Sequence, residues 1–173
     1  CQIIADILTV KEHIGHLNDI TISYVGDGNN IVHSWLELSM VLPFKFNIVC
    51  PEDYTPNMDL VKLAQEKGLS EISIFHDPHD GVLGSDIIYT DVWASMGQKE
   101  EADNRKKIFE PFQVNQKLIS ATKTKTLFMH CLPAERGVEV TDAVCDAPYS
   151  IIFDQAENRM HAQNAIILKL LNF

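Results

Sequence analysis

The sequence predicts an α/β protein, a three-layer α/β/α Rossmann-like domain with a mostly parallel sheet. Three observations lead there. Short β-branched and aromatic runs alternate along the chain with stretches of helical periodicity, a pattern satisfied by a parallel sheet with helices on both faces. Several of the runs are apolar at consecutive positions, as strands buried on both faces are. At 173 residues the chain is long enough for one domain with its own core.

The elements follow in order. Ile3, Ile4, Ile7 and Leu8 fall at helical spacing, so the chain opens inside a helix. Residue 1 is Cys, and an opening within an amphipathic helix reads as a piece of something longer. The run 20–25 is a strand, ended by Gly26-Asp27-Gly28. Asn29 or Asn30 can cap the next helix, through about Met40, by accepting from first-turn N–H groups. A strand over 46–50 is closed by Pro51. A helix over 58–67 stops at Gly68, and a strand covers 71–75. Residues 80–83 suggest one helical turn, and 86–90 and 126–130 two buried strands. A short strand is expected over 150–153. The last helix is expected to start near Asp154, with Glu157 at a capping-box spacing, and to run through Ile166, Ile167, Leu170 and Leu171. The region 94–126 is the least regular, and its charged run, 99–107, reads as a solvated helix or loop. Its length suggests a functional loop, because structureless loops beyond ~12–15 residues are uncommon.

Composition narrows the partners. The net charge of −10, from 14 basic and 24 acidic residues, argues against nucleic acid or an anionic membrane as the main partner. No apolar stretch approaches the ~18–20 residues that span a bilayer. Cys1, Cys50, Cys131 and Cys145 show neither CxxC nor Cys/His ligand spacing, so no metal site or disulfide framework is indicated. A reducing compartment, the cytoplasm, fits best.

In an open parallel sheet, ligands bind beyond the carboxyl ends of the strands. Asn29 and Asn30 follow the first strand, Asp91 follows Thr90, and Cys131 follows His130. An amide pair, a carboxylate and a thiol on one rim suit a small zwitterion whose amine must be oriented. Each residue also has a plainer role: Asn30 as a helix cap, Asp91 as a turn residue, Cys131 as a small buried hydrophobe, Arg159 as a surface residue. Gly26-x-Gly28 is half of a dinucleotide fingerprint, but position 31 is Ile where the third glycine belongs.

Four segments carry a resemblance. Gly26-Asp27-Gly28-Asn29-Asn30, Asp91-Val92-Trp93-Ala94-Ser95-Met96-Gly97, His130-Cys131-Leu132-Pro133 and Ala156-Glu157-Asn158-Arg159 occur in this order and spacing in ornithine carbamoyltransferases. The opening Cys1-Gln2 resembles the end of that family's His-Pro-Cys-Gln motif. The resemblance covers essentially the whole chain, and the Ser-Met-Gly loop is its most specific part.

The resemblance implies an ornithine-binding domain over 1–173. Residues 1–17 would be an interdomain helix and 155–173 a C-terminal helix that packs toward an amino-terminal domain. Ile166, Leu170 or Leu171 would then be exposed. It implies transfer of the carbamoyl group from carbamoyl phosphate to the δ-amine of L-ornithine, giving L-citrulline and phosphate, without a cofactor or metal. The active site would lie between two domains, and between subunits of a trimer. Asn30, Asp91, Ser95 and Met96 match ornithine-binding positions. There the Asn and a Met backbone N–H hold the α-carboxylate, and Asp and Ser the α-amino group. Cys1, Gln2, Cys131, Leu132 and Arg159 match positions around carbamoyl phosphate, and Cys131, Asp91 and Arg159 are the candidates for catalysis. A thiolate at Cys131 would need a cationic neighbour, for which Arg159 is a candidate. The family's Ser-x-Arg-Thr phosphate loop is absent, so this chain alone is expected to be inactive. The alternatives are a non-catalytic amino-acid-binding module, a carbamoyltransferase for another amine, and a nicotinamide-dependent dehydrogenase.

Overall fold

A computed structural model of the chain describes residues 1–94 and 102–172. Its elements in chain order are α1 (Gln2–Ile14), β1 (Thr21–Val25), α2 (Asn30–Ser39), β2 (Lys45–Val49), α3 (Met58–Lys67), β3 (Glu71–Phe75), α4 (Pro78–Gly81), β4 (Ile87–Thr90), α5 (Ala102–Phe109), α6 (Gln116–Ala121), β5 (Leu127–His130), α7 (Asp142–Cys145) and α8 (Ile152–Leu170). The strands form one sheet in the order β3-β2-β1-β4-β5, and every neighbouring pair is parallel.

Alternation along the strands builds the three layers. Ile22, Tyr24, Phe46, Ile48, Ile87, Tyr89 and Met129 share one core with Val10 of α1, Trp35 of α2 and Val61 of α3. Val25, Val49, Ile88 and Phe128 face the other way, onto Phe109 of α5, Leu118 of α6 and Val144 of α7. Sequential burial on both faces explains why these strands read as nearly continuous apolar runs. Trp35 sits fully buried at the centre of the first core, edge-on to Phe44 and Tyr89.

The expected strand at 150–153 is not a strand. Ser150 makes one isolated parallel bridge to Phe128, and the chain then turns into α8 at Ile152. The apolar run arises because Ile151 enters one core and Ile152 the other. The expected capping box does not form either. Asp154 lies inside the helix and binds His13 Nε2 at 2.8 Å. On α1 the buried stripe is Ala5, Asp6, Thr9 and Val10, flanked by Ile3 and Ile7, while Ile4 is exposed. At the far end of α8, Leu170 and Leu171 are 76% and 61% exposed, and Ile166 is half-buried. No helix among the described residues is long and apolar enough to cross a membrane.

Candidate functional site

Three strand ends set the site. Val25, Thr90 and His130 close β1, β4 and β5, and the parallel register brings Thr90 beside His130. The Thr90 hydroxyl donates to the Val25 carbonyl at 2.6 Å, which ties the ends of β4 and β1 together. The residues that follow each strand therefore meet on one rim.

Gly28 directs the first of these loops. Its N–H donates to the Tyr54 carbonyl at 2.9 Å. A Cβ at this position would lie 2.3 Å from Pro56 N and 2.5 Å from the Thr55 carbonyl carbon, both backbone atoms that cannot rotate aside. The second glycine of the GxG pattern thus makes room for the 54–56 backbone rather than for a pyrophosphate. Gly28→Ala is expected to destabilise the chain by about 1–3 kcal/mol, the usual cost of overpacking, and a urea melt measures it.

Directly after Gly28, Asn29 is the cap of α2. Its Oδ1 accepts from Ile31 N at 2.8 Å, and its Nδ2 donates to Asp91 Oδ2 at 2.9 Å. Asp91 Oδ1 accepts from Val92 N at 2.8 Å and from Cys131 Sγ at 3.0 Å. The carboxylate of Asp91 is thus held by donors from two loops and its own. Asn30, in contrast, is exposed at the start of α2, with its side chain unengaged among the described residues. The adjacent pair divides the work: Asn29 builds the rim, and Asn30 is left for solvent or a ligand.

Cys131 is 9% exposed. Burial pushes its thiol well above the usual range, and the Asp91 charge and hydrogen bond push it further the same way. Its Sγ donates to Asp91 Oδ1, and the arrangement favours the thiol over the thiolate. The charges that act on it most strongly are those of Asp91 and Asp6, both of which push the same way. Arg159 is exposed on α8 and makes no hydrogen bond to the described residues. Its clearest electrostatic effect is on Asp6, whose carboxyl it draws downward.

The turn after β5 is fixed from below by His130. The ring is fully buried, and its Nδ1 accepts the Leu132 N–H at 2.9 Å. That leaves the ring proton on Nε2, which faces Glu139 Oε1 at 3.2 Å. Glu139 is itself fully buried and accepts the Glu135 N–H at 2.5 Å. Leu132 is thereby held at φ 56°, in the left-handed region. Asp91, His130 and Cys131 place ligand atoms within 4.8 Å of one another. A metal does not fit this set as it stands, because both His130 nitrogens are already engaged.

Sequence reasoning missed three contributors. Arg105, inside the charged run read as solvated, is 8% exposed. Its Nε donates to the Trp93 carbonyl at 2.5 Å, and its Nη2 to Asp27. Its guanidinium lies 4.8 Å from the centre of the Tyr54 ring and 5.2 Å from that of Phe109. The only signal available was an aromatic residue four positions on. Asp6 and Gln155 were missed as well, because a lone acidic residue on a helix gives no sign that it is buried. Gln2 is partly buried and bonds Asp6, and Cys1 is exposed. Ser95 and Met96, expected to bind the acceptor, lie outside the described residues.

A family model described as the Asp/Orn binding domain of aspartate/ornithine carbamoyltransferase matches residues 18–170. The chloroplastic ornithine carbamoyltransferase of Pisum sativum is 59% identical over 170 residues, which is 98% of this chain and 45% of the relative. The ornithine carbamoyltransferase structure from Pyrococcus furiosus superposes with a TM-score of 0.89 at 46% identity, covering 97% of this chain and 55% of that one. The anabolic enzyme of that name from Campylobacter jejuni subsp. jejuni gives a TM-score of 0.91 at 31% identity, covering 99% and 58%. The chain spans about half the length of the curated relatives it matches.

Proposed function

The chain belongs to the aspartate/ornithine carbamoyltransferase family, and on that premise we propose that it is the acceptor-binding part of an enzyme that carbamoylates L-ornithine. The observation that carries the proposal is the Asp91 carboxylate, held between Asn29 and Cys131 on the carboxyl rim of the sheet. A fixed carboxylate of this kind binds and orients an ammonium or amine without moving to meet it.

In the proposed reaction the neutral δ-amine of ornithine attacks the carbonyl carbon of carbamoyl phosphate. The C–N bond forms, the bond to the phosphate oxygen breaks, and phosphate leaves with that electron pair. Asp91, with Ser95, holds the α-amino group, while Asn30 and the Met96 backbone take the α-carboxylate. Cys131 and the Leu132 backbone line the reacting carbon. Cys131 Sγ donates to Asp91, and Asp91 is the group proposed to take up the proton that the amine releases. Arg159, together with Gln2 beside Cys1, would face the carbamoyl group, where a guanidinium stabilises charge developing on the carbonyl oxygen. Most of the acceleration would come from holding two substrates in register.

The proposal extends to homotrimers of full-length subunits, to the cytoplasm as compartment, and to arginine biosynthesis or the urea cycle. It also holds that these 173 residues alone lack useful transferase activity, since they carry no dedicated phosphate loop. Residues 1–17 and 155–173 would form the seam toward the rest of such a subunit.

Titration calorimetry of L-ornithine, and of its uncharged-tail analogue L-norvaline, into this chain and into Asp91→Ala tests the reading. The parent chain is expected to bind, and the variant to bind about 10- to 100-fold more weakly, the worth of a charged hydrogen bond. Equal affinity in the two proteins would refute the role of Asp91. Citrulline formation by this chain alone at enzyme-like rates would refute its inactivity.

A further inference from the structure

The helices α1 and α8 meet over buried polar groups that the rim does not use. Asp6 of α1 is fully buried. Its Oδ1 accepts from Gln2 Nε2 and from Gln155 Nε2, each at 2.8 Å, and its Oδ2 accepts the Tyr89 hydroxyl at 3.0 Å. The other end of Gln155 is also used: its Oε1 accepts the backbone N–H of His130 at 2.9 Å. One turn further along α8, Asn158 Nδ2 donates to Thr9 Oγ1 at 3.0 Å and to Glu12 Oε2 at 2.7 Å.

The placement of Gln155 follows from the sheet. β5 is an edge strand. Phe128 N–H finds a partner across that edge in the Tyr149 carbonyl, at 2.9 Å. Two residues later the neighbouring chain has already turned into α8, and His130 N–H has no strand to bond. A side-chain amide takes the place of the missing carbonyl. That amide must be held by its other end, and Asp6 holds it. A buried carboxyl without donors is costly. Here two of the donors lead to places that the proposed reaction uses, the side chain of Gln2 and the backbone immediately before Cys131.

We propose that Asp6 is a positioning residue, holding Gln2 directly and the His130 backbone through Gln155, so that α1 and the 130–132 turn keep one register around the carbamoyl donor. The purpose of this register rests on the carbamoyl-transfer reading. The linkage itself does not. In the proposed reaction Gln2 lies on the donor side and the 130–132 turn lines the reacting carbon, so breaking the link is expected to act first on the donor.

Two measurements test it. The first needs no activity: amide hydrogen exchange on this chain, with Ile88 in β4 as the internal reference for global unfolding. In Asp6→Ala the His130 amide is expected to exchange about tenfold faster relative to Ile88, the worth of one hydrogen bond, and Asp6→Asn is expected to recover most of the protection. Gln155→Leu should match Asp6→Ala at His130, and it carries the comparison if Asp6→Ala fails to fold. An unchanged His130-to-Ile88 ratio in Gln155→Leu and in whichever Asp6 variant folds overturns the proposal. The second is steady-state kinetics of the same substitutions in the full-length enzyme. KM for carbamoyl phosphate is expected to rise about tenfold, with KM for ornithine within about twofold of the parent. Equal shifts in both, or in neither, overturn the positioning role. If the exchange result holds while the parent enzyme forms no citrulline, the linkage stands and the carbamoyl-transfer reading is the one that fails.

Discussion

Replacing Arg105 by alanine is expected to destabilise the chain by about 3 kcal/mol, toward the lower end for breaking a buried ion pair, because Asp27 retains some contact with water. The guanidinium is packed between the Tyr54 and Phe109 rings and bonds both Asp27 and the Trp93 carbonyl. Burial raises the Asp27 carboxyl above its ordinary range, and Arg105 is the main group opposing that rise. Without Arg105 the carboxylate keeps its burial and loses its partner. Urea denaturation at pH 7 checks the magnitude. Adding Asp27→Asn to Arg105→Ala should restore part of the loss, since a neutral amide in the same place tolerates burial better. The deficit of the single variant should also shrink on acidification, as protonation relieves Asp27. A loss below about 1 kcal/mol would return the pair to the status of an ordinary surface contact.

The second large effect concerns pH. Burial raises the Asp6 carboxyl to about 6, against the lowering influence of its hydrogen bonds to Gln2, Gln155 and Tyr89 and of the Arg159 charge. The folded state then holds this proton more tightly than the unfolded chain, whose Asp titrates near its ordinary value of 3.8. For a carboxyl raised in this way, the stabilising contribution is complete below the unfolded value. It declines as pH rises through the window from about 4 to about 6. Over that window the Asp6 contribution amounts to about 3 kcal/mol. Denaturant melts of the parent and of Asp6→Asn should therefore converge or cross as pH is raised from 4 to 7, with the parent losing stability relative to the variant. A constant difference between the two proteins across that range would show that Asp6 keeps one charge state in both folded and unfolded chains.

What the sequence made legible, and what it did not, follows from the reach of each signal. The five strands were readable because Ile22, Phe46, Ile72, Ile88 and Phe128 are apolar for a local reason, burial between helices. The rim was readable because a parallel sheet sends every strand end to the same side, so Asp91 and Cys131 had to be neighbours. The choice between Asn29 and Asn30 was not readable, since it depends on how closely the 54–56 backbone approaches Gly28. Ser150 was read as part of a strand because the run 150–153 is strand-like in composition, and the helix that begins at Ile152 is decided by where its neighbours lie. Arg105, Asp6 and Glu139 defeated sequence reading for one shared reason. A charged residue is exposed by default, and only the completed fold supplies the partners that allow burial.

Asp6 finds Gln155 and Thr9 finds Asn158 at a sequence separation of 149 each. Contacts so distant along the chain close late, because the entropy of a long loop must be overcome before they give any return. In a chain emerging from the ribosome, α1 is made well before α8 and cannot complete its polar seam until α8 has been released. β1, β2 and β3 can pair in the meantime. The turn that carries Cys131 depends on Gln155 for the amide of His130. The candidate site is therefore among the last parts to be finished, and a nascent chain arrested before Gln155 would carry its sheet before the 130–132 turn is secured.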